Sequence, residues 1–170
     1  MPTMEQKIAE DFEQYNAQYD RVAWLKEAAP GRVQFWEDAA TAGHFQAQFL
    51  FAKALQVGAG VEVDERRALF FYEKAADQGF GAAMVNAGRH YAQGKGCQKD
   101  IARAMELYQL AADNGYSSGA YNMAILLTEG VEVPRNLPRA LELWTQLERE
   151  GAPGAAEQRA RVWKAVAGDG

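Results

Sequence analysis

The side chains best suited to chemistry are few: two histidines, His44 and His90, one cysteine, Cys97, and 23 carboxylates. A protein-held zinc ion needs three or four such ligands converging on one point. On a helix, two of them would stand three or four residues apart. No second histidine or cysteine lies at that distance from His44 or His90, so no metal site and no cofactor are expected. The chain also has no Ser-x-x-Lys motif and no Cys/His pair spaced for nucleophilic attack. The carboxylate groups Glu148/Glu150 and Glu10/Asp11/Glu13 read as solvated helix faces, not as an acid–base pair. Gly94-Lys95-Gly96 has the look of a phosphate loop, but it lacks the GxxxxGK[ST] frame and a preceding strand.

Bulk charge narrows the partners. Formal net charge is −5, whereas nucleic-acid-binding domains are usually basic, because neutralising phosphates supplies much of their affinity. The four arginines Arg66, Arg67, Arg135 and Arg139 are spread along acidic helices and form no groove for nucleic acid. One cysteine cannot close an intramolecular disulfide, which suits a reducing compartment. The opening MPTMEQKIAEDFEQYN has no apolar signal core, and no run of about 18 apolar residues could span a membrane. The expectation is a cytoplasmic protein with no membrane association.

What must position any functional residue is a repeat of period 36. Ala68, Ala104 and Ala140 keep that step, as do Tyr72, Tyr108 and Trp144. So do Gly79, Gly115 and Gly151, Gly58, Gly94 and Gly130, and Asp64, Asp100 and Asn136. A fixed period of this size marks an all-α solenoid, in which each unit buries its apolar face only against its neighbours. Each unit reads as helix A, a glycine loop, helix B and a glycine stop. In the second unit Ala83, Ala87 and Tyr91 make the A stripe, and Ile101, Ala104, Met105 and Tyr108 the B stripe. Asp64 and Asp100 stand where an N-cap belongs. Gly79, Gly115 and Gly151 stand where a helix needs a left-handed C-terminal residue. The paired alanines Ala75/Ala76 and Ala111/Ala112 keep the helix surface small enough for close approach.

Three units span residues 47–154. Residues 32–46 read as a lone B helix with its junction, because Trp36, Ala39, Ala40 and Gly43 fall one period before the first unit's residues. Residues 1–31 read as an N-terminal helical cap with Phe12, Tyr15 and Tyr19 on one face, a degenerate A helix at most, with a break at Ala28-Ala29-Pro30-Gly31. Residues 155–170 read as a capping A helix with a polar side toward water, where Arg159 replaces Phe51, Ala87 and Met123, and a frayed tail. The period also accounts for the suspicious residues. Cys97 takes the place of Val61 and Val133, a small buried hydrophobe. His44 takes the place of Phe80 and Tyr116 at a helix start, and His90 that of Ala54 and Leu126, a semi-buried packing position.

The second-unit pattern AxxxAGxxYxxGxGxxxDxxxAxxxYxxAAxxG closely resembles the Sel-one-like repeat, a relative of the tetratricopeptide repeat. It is carried by Ala83, Ala87-Gly88, Tyr91, Gly94, Gly96, Asp100, Ala104, Tyr108, Ala111-Ala112 and Gly115. The third unit departs most, with Glu132 at the second loop glycine, Asn136 for the aspartate and Leu147-Glu148 for the alanines. The resemblance implies a right-handed α/α solenoid of antiparallel helix pairs with terminal capping helices, A helices lining the concave side. It further implies a non-catalytic protein- or peptide-binding module, acting as an adaptor, scaffold or regulator. Aligned concave positions make Phe49, Lys53, Gln56, Val85, Arg89, Tyr121 and Ile125 the candidate partner-binding residues. The resemblance also implies that position 49 and its equivalents often pack between units. A toxin- or effector-neutralising inhibitor is the alternative role, and a hydrolase the remoter one.

Overall fold

The computed structural model describes residues 1–168, and the tail expected to fray falls partly outside them, at 169–170. Among these residues there are nine α-helices and no strand. They are α1 (Met4–Ala17), α2 (Arg21–Thr41), α3 (Phe45–Val57), α4 (Glu65–Ala76), α5 (Gly81–Gln93), α6 (Ile101–Asp113), α7 (Ser117–Glu129), α8 (Leu137–Arg149) and α9 (Ala155–Gly168). Consecutive helices pack on one another from α2 through α9. The pairs α3/α4, α5/α6 and α7/α8 are the three A/B units, and the whole is an all-α solenoid.

The period is written in hydrogen bonds. Gly43, Gly79, Gly115 and Gly151 have φ of 102°, 86°, 81° and 73°. At Gly79 the glycine N–H donates to Ala76 O (2.8 Å) and the Phe80 N–H to Ala75 O (3.2 Å). The same pair of bonds closes the B helix at Gly115 and Gly151, and closes α2 at Gly43. This is the Schellman motif, which satisfies the last carbonyls of a helix and needs a left-handed residue. The B helices start alike: Asp64, Asp100 and Asn136 each accept, at 2.9, 2.9 and 3.0 Å, from the N–H three residues on. Ala68, Ala104 and Ala140 are fully buried.

The second loop glycine answers to a different need. A Cβ at Gly60 would stand 3.0 Å from the backbone carbonyl carbon of Ala29, and one at Gly96 would overlap the Glu65 carbonyl. Each loop thus rests on the backbone of the preceding B-type helix, α2 or α4. Gly88 serves helix packing, since a Cβ there would meet the Tyr108 ring at 2.6 Å.

Three expectations need correction. Residues 28–31 do not break the chain, because α2 runs through Pro30. Pro30 is exposed, so the carbonyl it leaves unbonded one turn earlier lies on the water side. Leu25, Ala29 and Trp36 are buried along the other side and hold the helix in one piece. Tyr19 does not share a face with Phe12 and Tyr15, since it lies beyond the end of α1 and is fully exposed. Asp11 is not a solvated carboxylate. It is 6% exposed, accepts from the Trp36 indole N–H at 2.8 Å and pairs with Arg32. Burial is tolerated because both partners compensate the charge, and Asp11 thereby ties α1 to α2.

Candidate interaction surface

The candidate residues sit on α3, α5 and α7, the A helices of the three units. Side chains bridge neighbouring A helices directly: the Lys53 ammonium on α3 donates to Asn86 Oδ1 on α5 at 2.8 Å. The row divides into two unlike halves.

At the N-terminal half the chain covers its own surface. The Phe49 ring meets Phe12, Tyr15, Tyr72 and Phe80 edge-on, with centroids 5.2–6.0 Å apart. Phe12 also meets Phe80 at the start of α5, so α1 reaches across the first A helix to the second. Phe49 is 4% exposed and Val85 8%. These two are therefore core, not an open apolar ridge, and over Phe49 aromatic neighbours and α1 fill the space a partner would use.

Lys53 stands beside them, half-buried. Its Nζ also lies 3.4 Å from Gln56 Oε1 and 5.7 Å from the centroids of both Phe49 and Tyr72. Burial, then the charges of Arg89 and Arg21, push its ammonium down to about 8. Gln56 is fixed by accepting from the Tyr72 hydroxyl at 2.9 Å. Burial raises the Tyr72 phenol well above its ordinary range, so it stays a neutral donor. Arg89 is exposed.

The C-terminal half is open. Tyr121 and Ile125, both half-buried, line a groove of about 530 Å³ between α7 and α9. Trp144, Leu137 and Val162 supply further apolar wall, and Arg161 and Glu129 add charge. Trp144 is held by an edge-on contact with Tyr121 at 5.1 Å, and its indole N–H donates to Thr128 Oγ1 at 3.1 Å. Pre-set aromatic walls of this kind lower the ordering cost of binding.

The structure adds features that the residue pattern does not single out. Asn86, which holds Lys53, takes the place of buried Leu50 one period earlier and of Asn122 one period later; an asparagine recurring within an otherwise apolar A helix is the signal that could have marked it. His90 is fully buried, not semi-buried. Its Nδ1 faces the Asn86 carbonyl at 2.9 Å and must donate to it, while Nε2 meets Glu65 Oε2 at 2.9 Å. That pair tethers the second unit to the first. His44 heads α3 without capping it through its side chain. Cys97 is half-buried against the core, and burial raises its thiol. No three His, Cys, Asp or Glu side chains gather as metal ligands among the described residues. Arg159 on α9 is half-buried and pairs with Glu148 at 2.5 Å, so this carboxylate is engaged with α9 while still partly in water.

Three consecutive stretches, 45–80, 81–116 and 117–151, match the Sel1 repeat model. The chain belongs to the Sel1 repeat family. The matched units begin two residues before the boundaries read from the sequence, because each A helix starts just after the stop glycine and its following residue. Sel1 repeat proteins generally mediate protein–protein interactions, and their fold is typically a non-catalytic scaffold. Among solved structures, a Sel1 repeat protein from Oxalobacter formigenes superposes with a TM-score of 0.75 at 25% identity. The match covers 81% of this chain and 55% of that one. A protective antigen of uropathogenic Escherichia coli with the same fold gives 0.77 at 24% identity, covering 98% of this chain and 37% of that one. Helicobacter pylori cysteine rich protein B gives 0.59 at 18% identity, covering 78% and 95%. The chain thus spans about half, or less, of the first two structures it matches. No curated protein matches it. Among the described residues no helix is long and apolar enough to cross a membrane.

Proposed function

We propose that this Sel1 repeat protein is a non-catalytic adaptor, scaffold or regulator that binds a protein or peptide segment along its A-helix face. The observation carrying this reading is the open groove between α7 and α9, where the half-buried Tyr121 and Ile125 offer apolar anchors, backed by the buried Trp144, beside Arg161 and Glu129. Buried aromatic anchors with a polar rim are what an interaction hot spot requires. Lys53 and Arg89 extend the surface toward the N-terminus, while Phe49 and Val85 support it from beneath.

The test is selection of a random twelve-residue peptide library on the immobilised protein. Wild type enriches a peptide family, and Ile125→Arg, at a half-exposed groove position, lowers its affinity at least tenfold with helicity unchanged by circular dichroism. Equal affinity for wild type and Ile125→Arg, or selection of peptides that bind only the B-helix side, would overturn the reading.

A further inference from the structure

The N-terminal half of the A-helix face gathers cations without anions. Lys53, Arg89 and Arg21 come from α3, α5 and α2, and the charges of both arginines bear on the Lys53 ammonium. Arg21 lies over the Tyr15 ring at 5.4 Å, and Tyr15 meets Phe49, over which Lys53 sits. The cluster is thus contiguous. Among the described residues none of the three has a carboxylate within salt-bridge distance. Acids on neighbouring helices are committed elsewhere: Glu65 to His90, Glu37 to Arg67 and Glu73 to the Tyr91 hydroxyl. In a chain of net charge −5, three converging cations left unpaired are an uncompensated charge. Lys53 is moreover held in place by the neutral oxygens of Asn86 and Gln56, which orient an ammonium without neutralising it. A partly buried charge in that state is stabilised by whatever anion reaches it.

We propose that Lys53, Arg89 and Arg21 form a carboxylate-binding site that receives an acidic stretch of the peptide partner. The proposal rests on the A-helix-face reading above and names the chemistry of its ligand. Three cations drawn from three helices suit two or more side-chain carboxylates in sequence better than one terminal carboxylate. The site and the α7/α9 groove lie about two A-helix steps apart, roughly 20 Å at about 10 Å per step. An extended peptide covers that in about six residues. The partner segment therefore carries acidic residues about six positions from an apolar anchor.

The decisive probe is a tetraglutamate peptide, acetylated and amidated at its ends, titrated into the labelled full chain and followed by heteronuclear NMR. A tetraglutamine peptide blocked in the same way, its counterpart with a free C-terminus and a single-stranded tetranucleotide serve as comparison arms. The expected result is saturable shifts on α3 and α5 around Lys53 and Arg89 with the glutamate peptide alone. Lys53→Gln and the surface variant Arg89→Gln should each weaken it about tenfold, as expected for loss of one close charge contact of about 1.4 kcal/mol. Shifts centred elsewhere, no saturable shifts, equal response to the glutamine peptides, tighter binding of the tetranucleotide, or unchanged affinity in Arg89→Gln each overturn it. The groove reading is scored separately by Ile125→Arg in the library selection. Loss there with no glutamate response here would leave the groove standing and remove the carboxylate site.

Discussion

Lys53→Met should flatten the alkaline rise in stability of this protein. In the folded chain, burial and the nearby Arg89 and Arg21 lower the Lys53 ammonium from 10.5 to about 8. Between those values the unfolded chain holds a proton that the folded chain has released. Stability therefore rises with pH across the window, and the full penalty is present below it. At 1.36 kcal/mol per pH unit the penalty is about 3 kcal/mol at pH 7, and roughly 2 kcal/mol of it is recovered between pH 8 and 10. The Tyr72 phenol beside Lys53 and the Tyr15 phenol beyond Phe49 are both raised by burial, and both are common to the two proteins. Glu65, which also faces Tyr72, stays with His90 and is common to both proteins. Urea denaturation of wild type and Lys53→Met at pH 7, 8, 9 and 10 measures the difference. The readout is the slope, since methionine also removes the bonds to Asn86 and Gln56 and so alters absolute stability. Parallel profiles, within about 0.5 kcal/mol, would refute the reasoning that Lys53 is held charged against its surroundings.

Other substitutions probe the frame. Gly115→Ala carries left-handed strain alone, because its Cβ would meet nothing within 4 Å. It should cost about 1–2 kcal/mol in urea denaturation. Gly96→Ala adds overlap with the Glu65 carbonyl and should cost about 1–3 kcal/mol more. Phe12→Ala removes two edge-to-face contacts and half-buried area, about 2 kcal/mol, and should speed tryptic cleavage at Lys7 and Arg21 as α1 loosens. Asp11→Ala strands the buried Trp36 indole N–H and should cost about 2 kcal/mol by thermal or urea denaturation, with Asp11→Asn, whose amide oxygen can still accept from the indole, recovering part of it.

The solenoid is readable in the residues because its constraints are local and recur. A Schellman closure admits glycine, an N-cap admits aspartate or asparagine, and a close helix crossing admits alanine. Each therefore leaves one residue type at one position in every unit. The terminal segments lack a copy to compare with, and there the residues mislead. Pro30 reads as a break only if its surroundings are ignored; Leu25, Ala29 and Trp36 override it. Asp11 looks solvated between Glu10 and Glu13, and only tertiary contact with Trp36 and Arg32 marks it as buried. Tyr19 follows Phe12 and Tyr15 at helical spacing while lying outside a helix. The site is partly legible for the same reason. Lys53, Arg89 and Ile125 share one repeat position and differ in chemistry, so nothing structural fixes their type. The covering of Phe49 by α1, and the entry of Arg21 into the cluster, come from segments outside the repeat and leave no periodic trace.

That division bears on how the surface works. A solenoid with uniform units presents the same chemistry at each step, and a partner could slide by one period without penalty. Here the steps are unlike: α1 closes the first over Phe49, unpaired cations run from Lys53 on that helix to Arg89 on the next, and an aromatic groove lies beyond. A segment matched to both charge and groove in one register would lose one or the other when shifted by about 10 Å. Specificity then follows from the order of dissimilar sites along a regular frame, because a mismatch leaves either a carboxylate against Tyr121 and Ile125 or an apolar anchor against Lys53. Exchanging the residues at the shared position, Lys53→Ile with Ile125→Lys, should therefore reverse the preferred order of acidic and apolar residues in selected peptides. Retention of the wild-type order would show that register is set elsewhere.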